Sequence, residues 1–185
     1  MRIMLIILAL MLFPVSATTA AQPSATPADD VAALLAELKR ETDPLKAEKL
    51  RARLRRAWLK QGTASARLLL AEAARAQGDG LVETARRLLD LVARRWPGYV
   101  TGRFRRALLL WQRGNDKAAL AELDAVLKRQ PAYFPAAMVK MRLLEDRRDF
   151  PGALKLCRET LRRFPAWRTL RQRCIRLQWR VEQDA

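Results

Sequence analysis

A Pro-small-aromatic sequence recurs in this chain every 34 residues and restricts the folds that are open to it. The three copies are Pro97-Gly98-Tyr99, Pro131-Ala132-Tyr133 and Pro165-Ala166-Trp167. Because proline cannot continue a helix, each copy is expected to end one structural unit. A fixed period of this length is typical of arrays of small units, in which no single unit buries its apolar face alone.

Small and apolar residues repeat in register with these prolines. The aligned sets are Ala73, Ala107 and Met141; Ala85, Ala119 and Ala153; Leu89, Leu123 and Cys157; and Val92, Val126 and Thr160. Turn signals lie midway in each unit, at 78–80, 114–116 and 148–149. The composition is rich in Ala, Leu and Arg and poor in Gly and Pro, which favours helices. Each unit is therefore predicted to be two helices joined by a tight turn.

This pattern resembles the tetratricopeptide repeat, a helix–turn–helix unit of 34 residues. The segments that match best are NDKAALAELDAVLKRQP, from Asn115 to Pro131, and RDFPGALKLCRETLRRFP, from Arg148 to Pro165. The resemblance implies an all-α fold, a right-handed α-solenoid of stacked antiparallel helix pairs with about three repeats plus caps. The repeats would span 66–97, 98–131 and 132–165, within residues 63–165.

Five positions depart from the family pattern. Leu69, Arg103 and Ala137 stand where the first helix usually has Trp. Met141 stands at a position that is usually small, and Arg148 stands where the turn usually has Gly. These departures affect the expected stacking angle between units more than the architecture.

The first residues have the features of a secretory signal peptide, assigned to 1–21. Arg2 precedes an apolar run from Ile3 to Phe13, which is too short to span a membrane, and small residues follow Pro14. The prediction is export, with the periplasm as the destination. An uncleaved N-terminal segment that anchors the protein in the inner membrane is the alternative.

The segments that flank the repeats are expected to be helical. Residues 22–26 form a polar linker, and 27–62 are predicted to form a helix pair that is either a degenerate repeat or an N-terminal cap. Thr26-Pro27 predicts the start of its first helix and Asp43-Pro44 the start of its second. Residues 166–185 are predicted to form a C-terminal capping helix.

The composition disfavours catalysis and favours binding. The chain has no His, which removes imidazole bases, His-paired nucleophiles and most zinc sites. No catalytic, metal or cofactor residues are predicted, and the protein is expected not to be an enzyme. The net charge of +17 predicts attraction to anionic surfaces, unless the arginines merely solvate helix faces.

The two cysteines, Cys157 and Cys174, have two interpretations. An even number in an exported protein favours a disulfide, and tetratricopeptide register places the two columns next to each other. Such a bridge would staple the C-terminal helix and contribute about 3 kcal/mol. Two buried free thiols are the alternative.

The resemblance also implies a binding face, because the first helices of stacked repeats line a concave groove that accepts peptides or helices. The predicted groove residues are Arg67, Phe104, Arg105, Trp111, Met138, Arg142, Arg176 and Trp179. Aromatic and Arg side chains together are typical of binding hot spots. Burial of Phe104 and Trp111 in the core is the alternative.

The expected function is a non-catalytic scaffold that docks a protein partner in this groove at the cell envelope. The first alternative is a basic module that binds anionic lipid or polysaccharide through its convex face. Nucleic-acid binding is less favoured, since an exported protein meets little nucleic acid and the sequence has no base-stacking motif.

Overall fold

The computed structural model describes residues 30–184, which form nine α-helices and no strands. The helices are α1 (Val31–Arg40), α2 (Pro44–Lys60), α3 (Ala64–Gly78), α4 (Val82–Arg95), α5 (Val100–Gln112), α6 (Asp116–Arg129), α7 (Phe134–Asp146), α8 (Phe150–Arg163) and α9 (Arg168–Gln183). The all-α class is therefore confirmed for this part of the chain. The predicted signal peptide and linker lie outside the described residues.

The first two helices begin at aspartates that cap them. The Asp30 carboxylate accepts a hydrogen bond from the Ala32 N–H at 2.8 Å, and Asp30 itself has extended backbone, so α1 begins at Val31. The start that Thr26-Pro27 predicts lies outside the described residues. In α2, Asp43 accepts from the Leu45 N–H at 2.7 Å, and Pro44 occupies the first helical position as predicted.

Three turns between helices, which lie 34 residues apart in sequence, share one geometry. Backbone N–H groups of Leu81, Asn115 and Asp149 donate to carbonyls of Ala76, Leu110 and Leu144, at 2.7, 2.9 and 2.8 Å. These are the long hydrogen bonds that close a helix C-terminus when one residue adopts the left-handed conformation. That residue is Gly80 (φ 74°), Gly114 (φ 72°) and Arg148 (φ 60°). The turn is thus retained where Arg replaces Gly.

The Pro-small-aromatic loops also repeat one geometry. The backbone N–H of Tyr99 donates to Trp96 O at 2.9 Å, that of Tyr133 to Gln130 O at 2.9 Å, and that of Trp167 to Phe164 O at 3.2 Å. Each of these aromatic residues precedes the first turn of the next helix. Each loop therefore places one aromatic side chain directly before the helix that follows it.

From α3 to α9, each helix packs against the next one in the chain. The small column of Ala85, Ala119 and Ala153 is fully buried at these contacts, which lets paired helices approach closely. Burial is divided among three apolar clusters. The first-unit cluster centres on α3 and α4, the C-terminal cluster on α7, α8 and α9, and the central cluster joins α1 and α2 to α5, α6 and the loops at 132–134 and 164–167.

The N-terminal helix pair does not extend this series of neighbouring contacts. Helices α1 and α2 pack against each other, and α2 contacts α5, whereas α2 and α3 make no comparable contact. Both helices of the pair contribute buried side chains to the central cluster, among them Leu34 and Leu38 of α1 and Leu54 and Trp58 of α2.

A disulfide joins the last two helices. Cys157 in α8 is bonded to Cys174 in α9; the Cα atoms are 5.6 Å apart, and the sequence separation is 17. Leu170 and Leu177 of α9 are buried on the same side. The C-terminal helix is therefore held both by packing and by a covalent bond.

Candidate docking surface

The C-terminal end of α2 is held by hydrogen bonds to its last carbonyls. The Tyr99 hydroxyl donates to Leu59 O at 2.8 Å, and the Thr101 hydroxyl donates to Trp58 O at 3.2 Å. The Arg67 guanidinium donates to Gly62 O at 2.8 Å and to Lys60 O at 3.1 Å. Carbonyls at a helix end lack partners within the helix, so these donors fix where α2 stops.

Trp58 is the side chain that inserts most deeply from α2. It is fully buried, with ring centroids 4.6 Å from Tyr133 and 5.3 Å from Phe134. Tilted and edge-to-face pairs at these distances contribute beyond simple area burial. Tyr133 belongs to the second Pro-small-aromatic loop. The aromatic residue of that loop is therefore a packing partner for α2.

The middle of α2 contacts the third loop through Arg51. Its guanidinium lies 4.5 Å from the centroid of the Trp167 ring and donates to Glu48 Oε2 from Nε at 3.0 Å and from Nη2 at 2.6 Å. Arg51 is buried, and its Nη1 has no hydrogen-bond partner in residues 30–184. Stacking on Trp167 thus compensates in part for removing a charge from water.

Burial beneath α2 changes the acidity of two tyrosines. Desolvation raises the pKa of Tyr133 to about 12, because the phenolate would be buried near Thr101 with little water. Desolvation also raises the pKa of Tyr99. Both hydroxyls therefore stay protonated, and the Tyr99 hydroxyl remains the donor that the Leu59 carbonyl requires.

The predicted groove residues fall into separate environments. Phe104 packs on the central cluster, with its ring centroid 5.4 Å from Tyr133, so the core alternative applies to it. Met138 is half-buried against the C-terminal cluster. Arg142 is exposed and pairs with Asp146 at 3.0 Å.

Among the predicted groove residues of α5 and α7, Trp111 is the aromatic side chain that lies outside the apolar clusters. Phe104, Leu108 and Trp111 follow helical spacing and share a face of α5. Phe104 is packed at one end of this face, whereas Leu108 and Trp111 are half-buried and belong to none of the three apolar clusters of residues 30–184. Arg105 is exposed beside them. We refer to Arg105, Leu108 and Trp111 as the α5 strip.

The two predicted groove residues of α9 lie elsewhere. Arg176 lines a charged cavity of about 470 Å³ with Glu145 and Arg148. Trp179 is 62% exposed and lies with Ile175 in a shallow depression on α9. The structure therefore does not gather the eight predicted residues in one pocket.

Many arginines form ion pairs with carboxylates of neighbouring helices. Arg106 donates to Asp90 and to Glu122, both at 2.7 Å, and Arg103 donates to Glu122 at 3.2 Å. By contrast, the basic pairs that end α4, α6 and α8 are exposed and form no ion pair within residues 30–184. These pairs are Arg94-Arg95, Lys128-Arg129 and Arg162-Arg163.

Sequence reasoning missed the role of the N-terminal helix pair. The available signal is the aromatic column Tyr99, Tyr133 and Trp167, which the sequence pattern by itself assigns only to the ends of units. Their recurrence also marks a row of receptors for the α2 residues Trp58 and Arg51.

Comparisons with known proteins gave no match, either to a protein-family model or to a curated protein. Within residues 30–184, no helix is long and apolar enough to cross a membrane. The same residues contain no cluster of three or more Cys, Asp or Glu side chains arranged to hold a metal ion.

Proposed function

We propose that this protein is an exported, non-catalytic scaffold that docks a helical segment of a partner protein along the α5 strip. In this proposal, α3 to α9 stack as a right-handed tetratricopeptide-type solenoid with three repeat units. The α5 strip then lies on the face formed by the first helices of the units.

The repeated local geometry supports this architecture. Residues 34 apart share left-handed turns, loop hydrogen bonds and burial. Units of equal geometry that pack only on their neighbours generate a solenoid. The departure at Arg148 is compatible with it, because this residue adopts the same turn conformation as Gly80 and Gly114.

The observation that carries the docking proposal is the environment of Trp111. A tryptophan outside the three clusters keeps apolar area available, and Arg105 adds a cationic group beside it. Tryptophan and arginine are the residues most enriched at binding hot spots.

Helix α2 supports the choice of a helical ligand. It lies against the starts of the helices that follow the Pro loops, using Trp58 on Tyr133 and Arg51 on Trp167. The molecule therefore already accommodates one helix at this side of the repeat units. A second helix seated on the α5 strip would use the same recognition mode.

Export is supported by the signal-like N-terminus and by the disulfide between Cys157 and Cys174. Disulfides persist in oxidising compartments such as the periplasm.

The test is a crosslinking pull-down from native cell envelopes at low and moderate salt. Trp111→Ala should remove a partner that wild type retains at both salt concentrations, because apolar anchoring survives screening. Trp179→Ala is the matched control, since it removes an exposed tryptophan from α9. Equal capture by both variants would refute the α5 strip as the docking surface.

A second candidate function follows from the exposed basic pairs at the ends of α4, α6 and α8. They suit an anionic lipid or polysaccharide, bound mainly by charge. Capture of only such polyanions, lost at moderate salt and insensitive to Trp111→Ala, would favour this function instead.

A further inference from the structure

A cavity with a cationic lining lies between the N-terminal helix pair and the third repeat unit. It has a volume of about 620 Å³. Its lining residues are Leu35, Lys39, Ala132, Glu159, Arg162, Arg163 and Phe164. Lys39 comes from α1, whereas both arginines come from the last turn of α8. The cavity therefore exists only because the helix pair docks on the repeat units.

The positive charges of this cavity are not neutralised by the described part of the chain. Lys39, Arg162 and Arg163 form no ion pair with any residue from 30 to 184. Glu159 is the one carboxylate in the lining, so positive groups exceed negative groups by two. Three cations that face one cavity repel each other unless an anion lies among them.

Basic residues in a last helical turn often do no more than offset the helix dipole. The repeat supplies the comparison, because Arg94-Arg95 ends α4 and Lys128-Arg129 ends α6 in the same way. The pair in α8, Arg162-Arg163, faces in addition a cation from another element, Lys39, and an apolar wall of Leu35 and Phe164. Compensation of the helix dipole explains the basic pairs at the helix ends. It does not explain why Lys39 of another helix lines the same cavity as Arg162 and Arg163.

We propose that the cavity binds a phosphate monoester whose phosphate is attached to an apolar group. A phosphate dianion matches the surplus of two positive charges. Guanidinium groups bind its oxygens in bidentate geometry, and the Lys39 ammonium adds a point charge. Leu35 and Phe164 contact the apolar group.

The proposed ligand links the helix pair to the repeat units. Because it contacts α1 and α8 at once, binding favours the docked arrangement and raises thermal stability by mass action. The site is separate from the α5 strip, so either proposal can fail without the other.

The experiment measures binding by the full chain, using titration calorimetry with inorganic phosphate and co-sedimentation with phosphatidylcholine vesicles with or without phosphatidic acid. The test variant is Lys39→Gln with Arg163→Gln. The matched control is Arg95→Gln with Arg129→Gln, which removes two charges at equivalent helix ends. Melting curves without ligand check that both variants fold, which their surface positions favour.

The expected loss is about fivefold in affinity for each cation removed from the cavity, and less than about twofold for the control pair. Glu159→Gln should tighten binding severalfold, because it removes the carboxylate that repels phosphate. If the test pair loses affinity for free phosphate but not for phosphatidic acid vesicles, the ligand is a soluble phosphate ester. If the test pair loses affinity for phosphatidic acid vesicles, the ligand is a lipid headgroup.

Two results would overturn the proposal. Equal losses in the test and control pairs would show attraction by net charge rather than by a site. Failure of wild type to bind either free phosphate or phosphatidic acid vesicles would show that the cavity has no such ligand.

Discussion

The two ends of the described chain are attached to the helices between them by different means. Helices α1 and α2 are held without a covalent bond, by the fully buried Trp58 and by hydrogen bonds to the last carbonyls of α2. Helix α9 is held by the disulfide between Cys157 and Cys174, and it leaves Trp179 62% exposed and Ile175 53% exposed.

The difference shows what each attachment requires. A helix pair that must be positioned through side chains needs receptors, and the aromatic column of the repeat provides them. A helix joined by a short covalent loop needs less apolar contact, because the bond restricts the unfolded chain. The exposed face of α9 is thus compatible with a firmly attached helix.

The largest effect is expected from removing the anchor of the N-terminal pair. Trp58→Ala should lower the free energy of unfolding by about 4 kcal/mol, because it deletes a fully buried ring and leaves a cavity beside Tyr133 and Phe134. Urea unfolding followed by circular dichroism measures this. Trp179→Ala should change stability little, and an equal loss in both variants would contradict the assigned anchor.

Breaking the attachment at the other end should cost somewhat less. Cys157→Ala with Cys174→Ala should lower the free energy of unfolding by about 3 kcal/mol, because the 17-residue separation leaves a short loop open in the unfolded chain. Denaturant melts with and without a reducing agent measure it. Reduction should destabilise wild type and leave the double variant unchanged; a wild-type midpoint insensitive to reduction would refute the expected contribution.

The turn that returns the chain from α2 to α3 depends on close approach by Tyr99. A Cβ on Gly62 would lie 2.6 to 2.9 Å from three atoms of the Tyr99 ring. Gly62→Ala should therefore cost about 2 kcal/mol by displacing the ring. Gly78→Ala, where a Cβ meets nothing within 4 Å, is the matched control in thermal melts. A smaller loss for Gly62→Ala than for the control would exclude this contact.

Alkaline pH should loosen the N-terminal attachment selectively. The folded pKa of Tyr133 is raised to about 12 from an ordinary value of 10.0, so its contribution is fully present below pH 10 and is lost as the pH rises towards 12. The loss should be on the order of 2–3 kcal/mol once the pH exceeds 12. Tyr133→Phe should flatten this part of the stability–pH curve, and an unchanged slope would contradict the assignment.

The smallest effect is expected at the turn of the third unit, close to the disulfide-bonded end. Arg148 has φ 60°, where Gly80 and Gly114 have glycine. Arg148→Gly should raise the free energy of unfolding by about 0.5–1 kcal/mol, since relief of backbone strain exceeds the added freedom of the unfolded chain. Gly114→Arg should do the reverse. Thermal melts measure both variants. If the changes in melting temperature of the two variants do not have opposite signs, the shared turn conformation is refuted.

Much of the helical framework follows from the sequence. The spacing of the prolines, the small columns such as Ala85 and Ala119, and the turn signals all act over a few residues, through sterics and backbone hydrogen bonds. Such local rules predict where most helices begin and end. The resemblance to the tetratricopeptide repeat, rather than these local rules, implied that Cys157 and Cys174 lie on neighbouring columns.

The candidate site was only partly accessible from the sequence. Register predicted that Phe104 and Trp111 share one helical face, and the structure separates them, with Phe104 packed on the central cluster and Trp111 outside it. Phe104 is packed because the Tyr133 ring, from a later loop, has its centroid 5.4 Å from that of Phe104. No local pattern in α5 reports that contact.

The helices, their period and the left-handed residues of the turns follow from interactions between residues close together in the chain, so local sequence predicts them. Folding of the whole chain is needed to bring Trp58 to Tyr133 and Arg51 to Trp167, and to place Lys39 in one cavity with Arg162 and Arg163. Such long-range contacts form where the pairing of apolar faces from different helices buries the most apolar surface. The sequence of one helix alone does not show which pairing that is.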